Sequence, residues 1–133
     1  MSNYYFFLAQ KISLSLSDLG FSIAPEWLYA QMAHETNGFR SELCVRYHNL
    51  GGVTQLEPNF LVQPDGSNYY MSFGSADDFA DYFFRYLALY VYDGLADCDS
   101  LESYLSVLKA GGYYGDSYNN YLAGCLDWLA TIQ

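Results

Sequence analysis

The chain has 133 residues, 52% of them hydrophobic, and a formal net charge of −10. That length and apolar content describe one domain able to bury its own core, and they exclude disorder. With 15 acidic residues against five basic ones, the chain repels phosphate backbones, which excludes nucleic acid as a partner.

The same field repels anionic membranes and teichoic-acid-rich walls. No apolar run approaches the ~20 residues that cross a bilayer, so no membrane insertion is expected. The first residues, Met1-Ser2-Asn3-Tyr4-Tyr5-Phe6-Phe7-Leu8, lack the basic start and cleavage site of a signal peptide, so synthesis in the cytoplasm is expected. Cys44, Cys98 and Cys125 cannot all pair within one chain, and their spacing fits no zinc pattern. Buried thiols, no metal site and no cofactor are the expectation.

In chain order, Phe6, Leu8, Ile12, Leu14, Leu16 and Leu19 predict a helix over 2–19, stopped by Gly20. Ser22 is placed to cap a second helix, with Pro25 in its first turn and Glu26 near its positive end. That helix runs to about Thr36, where Asn37-Gly38 breaks it. Along it Trp27, Leu28, Gln31, Met32 and Glu35 recur at three- and four-residue steps. Glu35 thereby shares an edge with apolar neighbours, one turn above Gln31 and Met32. Desolvation there disfavours the charged carboxylate and raises its pKa, the property a general acid needs near neutral pH. A helix-terminal glutamate that simply faces water is the alternative.

A helical turn is predicted over 41–47, then strands over 53–56 and 68–73 joined through Pro64-Asp65-Gly66 as a hairpin. Ser75 caps a long aromatic helix over 76–92. Another starts at Asp99 and ends at Gly111-Gly112, and the last covers 117–132. The inner face of the last helix is read as Tyr121, Leu122, Cys125, Leu126, Trp128 and Leu129. The expected fold class is mainly α (α+β), a single helical domain over 1–133 with one small β-hairpin lobe.

Gln31-Met32-Ala33-His34-Glu35-Thr36-Asn37-Gly38-Phe39, followed by Asn49-Leu50-Gly51-Gly52-Val53, resembles the glucosaminidase family of peptidoglycan hydrolases (glycoside hydrolase family 73) found in autolysins, flagellar muramidases and phage lysins. Phe73-Gly74-Ser75-Ala76 and Leu108-Lys109-Ala110-Gly111-Gly112-Tyr113-Tyr114-Gly115-Asp116 continue the resemblance in the family's order, over roughly 27–122. It implies a lysozyme-like helical domain whose groove lies between the helices and the hairpin. It also implies cleavage of a β-1,4 bond between N-acetylglucosamine and N-acetylmuramic acid, by hydrolysis or by lytic transglycosylation.

Carried over, Glu35 is the catalytic acid and Tyr113 borders the groove near it. Asn49 and Gly51 shape the approach to the β-lobe and present backbone groups to the sugar. From the residues themselves, Tyr113, Tyr114, Tyr118 and Tyr121 follow the Gly-Gly break, so some of them should line a surface groove; Gln55, Tyr114 and Tyr118 are the further substrate-binding candidates. Glu57 in the hairpin is the first candidate for a second carboxylate; Asp65 in the turn is the other. A water fits between Glu35 and a partner about 6.5–9.5 Å away, which gives inversion. Without that partner, the substrate's acetamido oxygen attacks, positioned by a tyrosine such as Tyr113. The tyrosine that usually follows the Asp of the Gly-Tyr segment by three residues is displaced here; Asp116 is followed by Tyr118 and Tyr121.

His34 points about 100° away from Glu35 around the helix and is read as a packing residue; His48 is placed near the groove. A Cys44–His48 nucleophile pair is a separate reading, without an obvious orienting acid. The expected partner is the peptidoglycan glycan strand. Phage release or a non-classical secretion route would bring the enzyme to the bacterial wall, with an immunity or virion protein as a further partner. The non-enzymatic alternative is an inactive lysozyme-like binding or virion-structural module, since fold alone does not establish activity.

Overall fold

The computed structural model describes residues 3–54, 61–62 and 69–132, and it is mainly helical. Six α-helices run in the order α1 (Asn3–Asp18), α2 (Pro25–Glu35), α3 (Glu42–Tyr47), α4 (Ala76–Ala88), α5 (Leu101–Ala110) and α6 (Tyr118–Leu129). Two short strands, β1 (Leu61–Val62) and β2 (Tyr69–Tyr70), lie between α3 and α4.

Helix α1 buries Leu8, Ile12 and Leu16, spaced four residues apart on one stripe, against α2 and α4. Lys11 adds ion pairs to Asp77 and Asp81 of α4 at 3.6 and 3.3 Å. Gly20 takes φ 95° and lets the Phe21 amide fold back onto the Leu16 carbonyl at 2.9 Å, which stops the helix as expected. Ser22, by contrast, caps nothing. The N-cap is Ala24, and Pro25 starts α2 directly after it, with a ring that presets the helical φ and has no amide to satisfy.

Six consecutive residues of α2, 28–33, are buried, so α2 is a central helix covered on all sides by neighbours that include α1 and α6. Its end is tightly built. Thr36 Oγ1 donates to the Met32 carbonyl at 2.7 Å and accepts from the Phe39 amide at 2.8 Å. Asn37, Gly38 and Phe39 then all take positive φ, and a Cβ on Gly38 would lie 2.6 Å from the Trp128 ring.

Of the first predicted strand, over 53–56, only Val53 and Thr54 are among the described residues. The ladder pairs Leu61–Val62 with Tyr69–Tyr70 in antiparallel register, and Thr54 joins only through an isolated bridge to Tyr70. Val53 accepts from the Met71 amide at 3.0 Å and is also held by a side chain. The buried Asn49 accepts from the amides of Gly51 and Val53 and donates to the carbonyls of Val53 and Met71, at 2.9–3.3 Å. That pattern is an Asx-type turn, which competes with strand pairing.

Ser75 caps α4 by accepting from the Asp78 amide, as expected, but the helix tightens after Ala88 into a 3₁₀ segment, Leu89–Asp93. Ser100 and Ser103 cap α5 reciprocally, two residues later than predicted. Ser117 caps α6, whose buried residues are Tyr121 and Cys125; Leu126 is 44% exposed and leaves the predicted inner face. All three cysteines are buried free thiols. Among the described residues, no helix is long and apolar enough to cross a membrane.

Candidate active-site groove

Helix α2 ends with Glu35 half-buried on a groove of about 590 Å³. The groove is bounded by α2, by Gly52-Val53-Thr54 and Tyr70, and by the 112–116 loop that leads into α6. Two contacts fix the carboxyl. Tyr121 of α6 donates its hydroxyl to Glu35 Oε2 at 2.7 Å. On the other side Gly52, at φ 64°, leaves room for Oε1; a Cβ there would stand 2.8 Å from it. Burial raises the Glu35 pKa above the ordinary carboxylate value, and the Tyr121 hydrogen bond pulls it only partly back.

Tyr121 is nearly covered, stacked on Tyr114 with ring centroids 3.8 Å apart. Burial first, and then the Glu35 charge, push its phenol far up, so it remains a donor at any physiological pH. Tyr114 lines the groove and donates inward to the Leu105 carbonyl at 3.0 Å; burial pushes its phenol up to about 12. Tyr113 lines it too and donates to the Gly51 carbonyl at 2.6 Å, its ring set among Phe83, Tyr86 and Tyr90. Beneath it, Gln31 is fully buried. Its Oε1 accepts from Tyr104, while its Nε2 has no hydrogen-bond partner among the described residues.

The other wall holds His34 and Asp116. The imidazole stands edge-on to Tyr121, 4.6 Å between ring centroids, and rests on Gly124 of α6. A Cβ on Gly124 would lie 2.2 Å from the ring. Burial lowers the His34 pKa, and the charge of Asp116 opposes this. Asp116 itself is exposed; its Oδ1 accepts from the Ser117 amide at 2.7 Å and from Asn120 at 3.4 Å. Lys109 holds this loop, with Nζ on the carbonyls of Tyr114, Gly115 and Asp116 at 3.5, 3.3 and 2.6 Å.

Of the residues singled out in the sequence, the groove therefore brings together Glu35, Tyr113, Tyr114 and Tyr121, and His34, read from the sequence as a packing residue, packs on α6 and also lines the groove. Asn49 and Gly51 lie behind it. Both are buried, and Asn49 is committed to the backbone bonds that shape the Gly51-Gly52 turn. Tyr118 lies outside the lining, its hydroxyl 3.5 Å from the Glu102 carbonyl. Gln55, Glu57 and Asp65 fall outside the described residues. His48 shares a different hollow with Cys44, and burial pushes that thiol up to about 11, which keeps it protonated at neutral pH.

Asp116 and Gly52 had no assigned place in the site, and Tyr121 had one only as one of the four tyrosines after the Gly-Gly break. Tyr121 reads as a core residue from its spacing to Cys125, and it is both core and site. Of the two tyrosines after Asp116, Tyr121 is the one that reaches the acid. Among the described residues no group of three or more His, Cys, Asp or Glu could hold a metal ion. No family model, curated protein or solved structure matches the chain.

Proposed function

We propose that the chain is a peptidoglycan glycosidase that cleaves a β-1,4 bond of the glycan strand with Glu35 as general acid, on a lysozyme-like helical domain with a small β-lobe. The observation that carries this reading is the state of Glu35. It is a desolvated carboxyl with a raised pKa, fixed by Tyr121 and facing an aromatic-lined groove. A protonated carboxyl there can give its proton to the glycosidic oxygen as the bond breaks. Tyrosine faces suit the apolar faces of sugar rings.

Stabilisation of the oxocarbenium-like transition state then falls to a second carboxylate or to the substrate's own acetamido group. Asp116 is the other carboxylate among the described lining residues, and Glu57 remains the hairpin candidate. The Tyr113 hydroxyl donates to the Gly51 carbonyl, so its proton is not left for the substrate.

Digestion of purified peptidoglycan by the wild type and by Glu35→Gln, read by mass spectrometry, tests the proposal. Muropeptides released only by the wild type are expected, and their new ends identify the bond and distinguish hydrolysis from transglycosylation. No release by the wild type from walls of several bacteria would favour a binding or virion-structural module instead.

A further inference from the structure

We propose that the His34–Asp116 wall of the groove is a subsite for a primary ammonium group, so that the preferred strand carries free amines. This rests on the glycosidase reading for its setting, and it adds a selectivity which that reading does not contain. Four features of the wall favour a cation. Asp116 places an exposed carboxylate on it, with Oδ2 unpaired among the described residues. Neither Lys nor Arg occurs among the described lining residues. The nearest base, Lys109, is turned onto three loop carbonyls and the Tyr114 ring, and it forms no ion pair with Asp116 among the described residues. His34 forms no hydrogen bond among the described residues, and burial favours its neutral imidazole, so it adds no positive charge to the wall.

The hydroxyls complete the pattern. Tyr113, Tyr114 and Tyr121 donate to Gly51, Leu105 and Glu35 respectively, so their protons are turned away from a ligand. These hydroxyls leave the Asp116 carboxylate as the charged group of this wall. An acetamido carbonyl or a carboxylate needs donors, whereas an ammonium supplies three and carries the complementary charge. Gly124 indicates that this wall is built. Glycine inside a helix is less favourable than alanine, yet only glycine lets the His34 ring sit where it does.

A free amine reaches such a groove from two sources, a de-N-acetylated glucosamine unit or the side-chain amine of a stem peptide. The test measures binding to the Glu35→Gln protein, which lacks the acid and isolates the Asp116 charge. Two pairs of probes are compared by calorimetry. The first pair is glucosamine tetrasaccharide against its N-acetylated form; the second is a lysine-containing stem peptide against its ε-acetylated form.

The amine-bearing member of one pair is expected to bind about two- to fivefold tighter, as a single partly exposed charge pair provides. The pair that shows the difference identifies the source. Adding Asp116→Asn is expected to abolish the preference. Adding Asp127→Asn, the same charge change on an exposed part of α6 outside the groove lining, should leave it intact. No preference in either pair, or one that survives Asp116→Asn, would overturn the subsite. Wall cleavage by the wild type decides the glycosidase reading separately, so either idea can fail without the other.

Discussion

Glu35 is where sequence, packing and chemistry meet. Its folded-state pKa lies above the ordinary carboxylate value, so the native state binds that proton more tightly than the unfolded chain does. Stability from this group is therefore complete below the ordinary value, about 4.3, and is lost as pH rises through the raised one. Glu35→Gln should melt at a higher temperature than the wild type at pH 7, with the gap closing on acidification. A thermal scan against pH checks the sign. The same variant should lose about 10²–10⁴-fold in wall cleavage. Tyr121→Phe removes the hydrogen bond that, among the described residues, favours the carboxylate. The alkaline limb of its pH–rate profile should therefore move up, while kcat falls roughly ten- to a hundredfold through lost positioning. Gly52→Ala puts an L-residue at φ 64° against Oε1. A loss of about 1–2 kcal/mol in urea unfolding is expected from the backbone alone.

At the scale of elements, α2 and α6 carry the acid and its tyrosine, and their close approach depends on Gly124 and Gly38. Gly124→Ala is informative because two effects oppose each other. Helix propensity favours alanine by about 1 kcal/mol, but the new Cβ collides with the His34 ring. Net destabilisation is expected in urea unfolding, turning to net stabilisation when His34→Ala removes the ring. The helices were legible because α1 carries an apolar stripe at i+4 steps and α3, α4 and α6 begin at a capping serine. The α2 start misled because Ser22 looks like a cap, whereas Pro25 makes the cap at Ala24. The first strand was legible in part: Val53 and Thr54 pair with Met71 and Tyr70, but the Asn49 side chain that also holds Val53 is a loop interaction that alternation of side chains does not reveal. The contact of Tyr121 with Glu35 was hidden for a related reason. Tyr121 satisfies the core pattern of α6 and turns only its hydroxyl to the acid.

At the scale of the molecule, the charge of −10 opposes any approach to an anionic wall. Cleavage of teichoic-acid-bearing walls should therefore rise as salt is added toward about 0.15 M, where the screening length falls to about 8 Å. Walls stripped of teichoic acid should show a smaller rise. The fold keeps its three thiols buried and unpaired, and its groove draws on α2, the 112–116 loop and α6 together. The acid is thus set by the tertiary structure and not by the helix that bears it.

The most direct measurement pairs a carboxyl-selective NMR titration of Glu35 with the pH dependence of muropeptide release. Release is expected to fall as pH rises through the same raised value at which Glu35 ionises, and to be absent in Glu35→Gln. An ordinary Glu35 titration together with release that continues in Glu35→Gln would contradict the assignment of Glu35 as the general acid.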